Sequence, residues 1–401
     1  MKSSSNNPWL HRFAVLTAVA TLFLICVGGV VTSKGVGLAV PDWPTTYGYT
    51  MFFFPFSKWF ANYGVFYEHS HRLVASGVGF LTTILAVWLC VKEERRWLRW
   101  IGVVAFVGVC LQGVLGGLRV TQLKDEIGIF HAALAQLFFV LMCAIALFTS
   151  RWWINSPEPT ALMAKRQRTA AVQDASRPEF PIVGTARCAV RGHRSAMTLP
   201  TGFLGITCLI FVQLVIGATM RHQHAGLAIP DFPSAYGKLW PATDGGSIAH
   251  YNRIRLESTG AYPITASGVV LQMVHRILAF TILGAIYFAG VKTLRRFSAN
   301  SVPARLALLW LALVTIQLGL GAATIWTNKS ADIATAHVAV GALSLATGAM
   351  LVLTTPRCIP DARPFAERTL ARPQPASATA KSKMPSLLKS PLANPCALQA
   401  G

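Results

Sequence analysis

The stretch Gly37-Leu-Ala-Val-Pro-Asp-Trp-Pro-Thr-Thr-Tyr-Gly48 returns as Gly226-Leu-Ala-Ile-Pro-Asp-Phe-Pro-Ser-Ala-Tyr-Gly237, at one constant offset. Self-similarity on this scale signals two copies of one structural unit. In each copy two prolines stand within four residues, Pro41 and Pro44 in the first, Pro230 and Pro233 in the second. That spacing excludes regular helix, so the segment is a turn or a short extended loop. Two readings fit it: a rigid cap over a bundle, or a lid that touches a ligand. The segments that follow, 58–67 and 238–268, are longer than a simple connection needs, as loops that cover a site are.

Apolar runs flank both copies. Of the 401 residues, 53% are hydrophobic and 13% are charged. Crossing a hydrocarbon core takes about 20 helical residues. The runs 13–33, 69–91, 98–118, 128–150, 202–221, 269–291, 304–325 and 332–354 meet that length. The expected fold is therefore an all-α polytopic membrane protein, its eight transmembrane helices forming two pseudo-symmetric four-helix bundles. An even number of helices per copy makes the repeat parallel, about an axis along the membrane normal. The chain divides into a short N-terminus (1–12), a first half (13–150), a linker (151–200), a second half (201–355) and a tail (356–401). Residues 155–198 and 359–401, rich in Pro, Arg, Ala and Ser, have the composition of mobile segments.

The net charge of +21 could suit nucleic acid, but its placement points elsewhere. Lys92, Arg95, Arg96 and Arg99 crowd one short loop, and Lys292, Arg295, Arg296 and Arg305 another. The alternate loops 34–67, 119–127 and 326–331 are poorer in cations. That asymmetry follows the positive-inside rule, with both termini and the linker cytoplasmic in a multi-pass cell (inner) membrane protein. Anionic lipid is then the partner of the basic loops, and no basic stripe interleaved with aromatics offers a nucleic-acid surface. The first apolar run is too long for a cleaved signal and reads as a retained helix. None of the cysteines falls in an outer loop, so no structural disulfide is expected.

Four histidines recur with the repeat. His71-Arg72 is echoed by His275-Arg276, and His131 by His337. Each lies near the start of an even-numbered helix, hence toward the outer leaflet. An ionisable residue inside a span is costly and defaults to a functional reading. A single membrane histidine could merely bond a neighbouring helix, but four at matching positions point to ligation. Facing helices of a bundle supply axial ligands well, pairing His71 with His131 and His275 with His337. Without a cysteine or carboxylate cluster to complete a tetrahedron, haem fits better than zinc.

The copies differ at one point. Glu68 precedes His71 by three residues on the same helix face, whereas its counterpart before His275 is Gln272, which cannot ionise. Glu68 either moves protons or steadies positive charge beside a metal site, or it simply pairs with Arg72 at the interface. Arg72 and Arg276 either reach headgroups or pair with haem propionates. His69 points away from His71. The loop histidines His222, His224 and His250 lack repeat counterparts and carry little weight, as do His11 and His193.

Glu68-x-x-His71-Arg72, the paired Gly-Leu-Ala-x-Pro-Asp-aromatic-Pro loops, His131, His275-Arg276 and His337 together resemble the haem A synthase family of cytochrome oxidase assembly, over roughly residues 13–354. The resemblance implies an oxidoreductase that converts one methyl of haem O to a formyl group, giving haem A by successive hydroxylation and loss of water. It further implies that His71 and His131 hold the iron of haem O, that Glu68 is catalytic, and that His275 and His337 hold a haem b cofactor. Implied partners are haem O and haem A, membrane lipid, haem O synthase or oxidase assembly proteins, and an electron acceptor of unknown identity. Some members of that family carry a cysteine pair in the first outer loop; residues 34–67 contain no cysteine. The rival from another class is a di-haem electron-transfer protein of the quinol-linked cytochrome b type, which needs no Glu68. A transporter is a third reading, but its sites sit at midplane on interrupted helices.

Overall fold

The structure is a computed structural model that describes residues 7–156, 185–259 and 263–358, with backbone alone for 185–198 and 256–259. Eight long apolar helices dominate the described residues. They are α1 (Pro8–Ser33), α2 (Tyr63–Lys92), α3 (Arg96–Gln122) and α4 (Asp125–Phe148), then α5 (Thr185–His222), α6 (Ala266–Arg296), α7 (Val302–Trp326) and α8 (Ala331–Thr354). All eight expected spans fall on these helices, and the chain is a multi-pass membrane protein. One boundary differs: α5 already begins at Thr185, inside the stretch expected to be linker. The start of that linker is a short helix, Arg151–Asn155, while 157–184 and the tail from 359 lie outside the described residues.

Local chemistry sets the helix starts. Asn7 accepts hydrogen bonds from the Trp9 and Leu10 amides, with Pro8 opening α1. Asn62 caps α2 through the Gly64 and Val65 amides, Thr265 caps α6 through Gly268, and Ser301 caps α7 through Ala304. Each side-chain oxygen satisfies amides that have no partner inside the helix.

Within residues 8–148, α1 packs on α2 and α4, and α3 closes the ring between them. The second set repeats this, with α5 on α6 and α8 and with α7 between those two. Leu85, Leu89, Leu98, Met142 and Ile145 fill the first ring; Phe203, Ile282, Ile286, Trp310 and Leu351 fill the second. The rings meet where α1 and α4 lie against α8, with α4 also touching α5. Ile25, Phe139, Ala342 and Ala346 pack that seam. Small residues bring the backbones close there: a Cβ on Gly29 of α1 would stand 3.1 Å from a methyl of Thr335 on α8. Large apolar side chains such as Phe23, Phe80, Val107 and Phe288 are exposed on the outside, where a hydrocarbon solvent suits them.

The repeated loops are built alike. Asp42 accepts from the Thr45 hydroxyl and the Tyr47 and Gly48 amides, while the Tyr47 hydroxyl bonds back to the Ala39 carbonyl. Asp231 accepts from Ser234, Tyr236 and Gly237, and the Tyr236 hydroxyl returns to Ala228. Tyr47 and Tyr236 share a left-handed backbone conformation, and both aromatic–proline bonds, Trp43–Pro44 and Phe232–Pro233, are cis. Burial tends to raise the two aspartate pKa values, but the hydrogen bonds win and hold both below the usual carboxylate range. After the first loop comes a short helix, Phe56–Ala61; after the second, a longer and more polar one, Gly245–Thr259.

Candidate functional site

Each of the four histidines meets a glycine on the preceding helix. A Cβ on Gly28 would lie 3.1 Å from the His71 ring, and one on Gly116 3.4 Å from His131. In the second half the distances are 3.3 Å for Gly217 and His275 and 3.2 Å for Gly321 and His337. Four times, then, an even helix offers an imidazole and the odd helix before it offers the room. Three of the four glycines follow a glutamine one turn earlier, at Gln112, Gln213 and Gln317; before Gly28 the place is taken by Leu24. Gln112 donates to the His131 carbonyl at 3.2 Å and Gln213 to the His275 carbonyl at 2.9 Å, steadying the turn that carries each ring. Gln317 instead lies 3.3 Å from His337 Nε2.

All four rings line one cavity of about 730 Å³ that runs across both halves. They are half-buried because their free edges face that cavity, deep inside the bundle. The Nδ1 atom of every one is buried with no hydrogen-bond partner. A buried imidazole kept only to join helices would have that atom paired. His71 and His131 lie within electrostatic reach of each other, as do His275 and His337, which are the pairs expected from the repeat.

Glu68 and Gln272 also line the cavity. Glu68 is 3% exposed; its carboxylate accepts the Val40 amide at 2.8 Å and pairs with Arg72 at 2.8 Å. Gln272 does the same duty with an amide: its Oε1 accepts the Ile229 amide at 2.7 Å, and its Nε2 donates to Gly226 and Ile229 carbonyls. Both side chains thus pin the repeated loop to its helix. Arg72 donates to the carbonyls of Val40, Asp42 and Thr45, and Arg276 to those of Ile229, Asp231 and Ser234. Sequence offered headgroups or propionates as partners for these arginines; the structure gives most of their donors to the loops. The loops are accordingly both a cap and a wall, since Trp43 and Phe232 face the cavity from them. Trp43 covers Gly117 so closely that any Cβ there would overlap the indole.

The family model of cytochrome oxidase assembly proteins, COX15-CtaA, matches residues 11–349. The chain belongs to this family. Among its curated relatives, proteins named "Heme A synthase" from Caulobacter sp. and Rhizorhabdus wittichii are 26% and 25% identical to it. These matches cover 86% and 84% of this chain and 96% and 91% of the relatives. A third of the same name, from Geobacillus kaustophilus, is 24% identical over 82% of this chain and 86% of its own length.

In this COX15-CtaA member the donor set fits an iron porphyrin. Four imidazoles, each with an unpartnered Nδ1, line an apolar cavity, and glycines leave the space beside them. Several contributors were hidden from sequence reading. His222, expected in a loop, is the last residue of α5; it is 9% exposed and 3.9 Å from Asp125. His69 does turn away from the cavity, yet it is buried, bonded to Thr46 and packed on Phe54 and Trp59. Arg119, Arg221 and Lys329 converge with His222 on the cavity wall where the halves meet. The signal that the sequence carries for these positions is the Gln-x-x-x-Gly spacing, at Gln112–Gly116, Gln213–Gly217 and Gln317–Gly321.

Proposed function

We propose that this chain is a haem A synthase, which oxidises one methyl of haem O to a formyl group by successive hydroxylation and loss of water. The observation that carries this reading is one cavity served by two equivalent histidine pairs, of which only one has a carboxylate beside it. In it the halves are two related four-helix bundles, 13–150 and 201–355, the first for the substrate and the second for a haem b cofactor. When bound, the haem b supplies a one-electron relay to the substrate half. His71 and His131 would hold the substrate by its iron and so place it beside Glu68 in the cavity. Gly28 and Gly116 leave their rings unobstructed, and Gln112 fixes the turn that carries His131. The Val40 amide and Arg72 fix where the Glu68 oxygens stand, leaving lone pairs toward the cavity to accept a proton or steady positive charge as the methyl is oxidised. His275 and His337 hold the cofactor, with Gln272 in place of the carboxylate. The membrane is the cell membrane, with the basic loops and both termini on the cytoplasmic side. Haem O synthase or oxidase assembly proteins are the partners that deliver and receive the haems, and the electron acceptor is unidentified.

A di-haem electron carrier would need the histidines but not the difference between Glu68 and Gln272. Extraction and chromatography of haems from cells that express the chain with a haem O source separates the two. The synthase yields haem A; haem O and haem b alone would sink the proposal.

A further inference from the structure

The wall of the cavity has a charge imbalance. Five cationic residues line it, Arg72, Arg119, Arg221, Arg276 and Lys329, against the single carboxylate of Glu68. Arg72 and Arg276 are engaged by the loops, and Arg72 also takes Glu68. The other three sit together at the seam, and of these Arg119 also reaches the Gly37 carbonyl of the first loop at 3.5 Å. Arg119 and His222 meet at Gly128 of α4, where a Cβ would be 2.9 Å from Arg119 Nε and closer still to His222. Arg221 crosses from α5 to donate to the Gly29 carbonyl and Ser33 hydroxyl of α1. Lys329 lies within electrostatic reach of Arg221, and Arg221 of Arg119. Among the described residues, none of Arg119, Arg221 and Lys329 has a carboxylate within 4.0 Å. Glu68 and Asp125 act on Arg119 from farther away, and Asp125 stands 3.9 Å from His222, which leaves the cluster with more cations than carboxylates. A cation withdrawn from water without its own partner costs on the order of several kcal/mol, so a further anion belongs there.

Position says which anion. Arg119 stands three residues beyond the His131 glycine, Gly116, and Arg221 four beyond the His275 glycine, Gly217. Gly29, which accepts from Arg221, adjoins Gly28, which receives His71. The cations therefore form a belt about one helical turn, roughly 5 Å, above the rings on the side of the loops. That is where the edge of a planar ligand gripped between histidines ends. Resting on the haem-binding reading above, we propose that Arg119, Arg221, His222 and Lys329 form a seat at the seam of the two halves for the carboxylates of the bound tetrapyrroles. All four residues line the one cavity that holds both histidine pairs, so one seat serves both.

The test is a binding equilibrium, independent of whether a formyl product forms. Full-length protein made under haem limitation is titrated by absorbance with iron protoporphyrin IX and with its dimethyl ester, which keeps the ring and loses both charges. The diacid should bind at least about tenfold tighter than the ester, the scale of one charge-assisted contact. In the Arg221→Gln, Lys329→Gln double variant that preference should shrink toward unity while the bis-imidazole spectrum persists. Equal affinity of the unaltered protein for diacid and ester overturns the seat, with no variant needed. So does a double variant that keeps the full preference. Inorganic phosphate is the competing anion: if the double variant loses phosphate binding but keeps the affinity for diacid, the cluster is a phosphate or headgroup site instead. Failure of both porphyrins to bind would sink the haem-binding reading itself.

Discussion

The two halves perform one structural task with different chemistry. In the first, a carboxylate oxygen of Glu68 takes the Val40 amide at 2.8 Å; in the second, the amide oxygen of Gln272 takes the Ile229 amide at 2.7 Å. The aspartate bonds and the arginine bonds to the loop carbonyls match residue for residue, while Arg72 pairs with Glu68 and Gln272 donates to the Gly226 and Ile229 carbonyls. An uncharged amide is therefore sufficient to hold the second loop, whereas in the first the charge of Glu68 also balances the buried Arg72. Burying a carboxylate beside a cavity has a cost even when it is paired. The difference is an ion pair, Glu68 with Arg72 at 2.8 Å, that Gln272 does not form with Arg276; in the function proposed above the same charge also serves the chemistry.

That comparison can be broken most directly at Glu68. Glu68→Gln installs the side chain that already works in the other half, so folding and haem loading should persist. Haem A formation should fall by about 10²–10⁴, the usual contribution of a group that moves a proton. Chromatography of extracted haems beside an absorbance spectrum checks both parts, and normal haem A output would remove Glu68 from the chemistry. Next in size, His275→Ala should empty the second site by an order of magnitude or more in occupancy while the His71–His131 site still loads. Full retention of b-type absorbance would sink the assignment of His275.

The glycines sharpen the comparison by degree. Gly28→Ala places a methyl 3.1 Å from the His71 ring, against 3.4 Å for Gly116→Ala and His131. Overpacking costs about 1–3 kcal/mol, and the tighter contact should show the larger loss of haem occupancy. An equal loss at both would mean that the rings move freely. The smallest effect is on acid stability. Asp42 and Asp231 both have lowered pKa values, so each contributes stability above the ordinary carboxylate value, about 4, that is lost as pH falls through the lowered one. Asp42→Asn and Asp231→Asn should each destabilise at neutral pH and converge on the parent protein in acid. Thermal melts across that range test it, and a pH-independent deficit in either variant would exclude the hydrogen-bonded carboxylate as the cause.

Much of this was legible in the chain. Apolar length fixed the spans, and the repeat paired His71 with His131 and His275 with His337 before any coordinates. The asymmetry of Glu68 and Gln272 was equally plain. The partners of Arg72 and Arg276 were not, because sequence shows a cation but not the backbone carbonyls a folded loop will turn toward it. Still less visible was the seam: Arg119, Arg221 and Lys329 lie on different helices, carry no common motif, and were outweighed by the far larger basic clusters of the loops. His222 was misplaced for a simpler reason: the apolar stretch stops at residue 221, and α5 runs one residue farther to end on His222.

The bond from Arg221 to Gly29 spans 192 residues of chain. During synthesis, α1 to α4 enter the bilayer first, and the faces of α1 and α4 that later meet α5 and α8 must wait in lipid. The first histidine pair is complete by then, but part of its chamber wall has not been made. The chamber around His71 and His131 is therefore completed last, and a chain halted after α4 would hold that pair in a chamber open along one side.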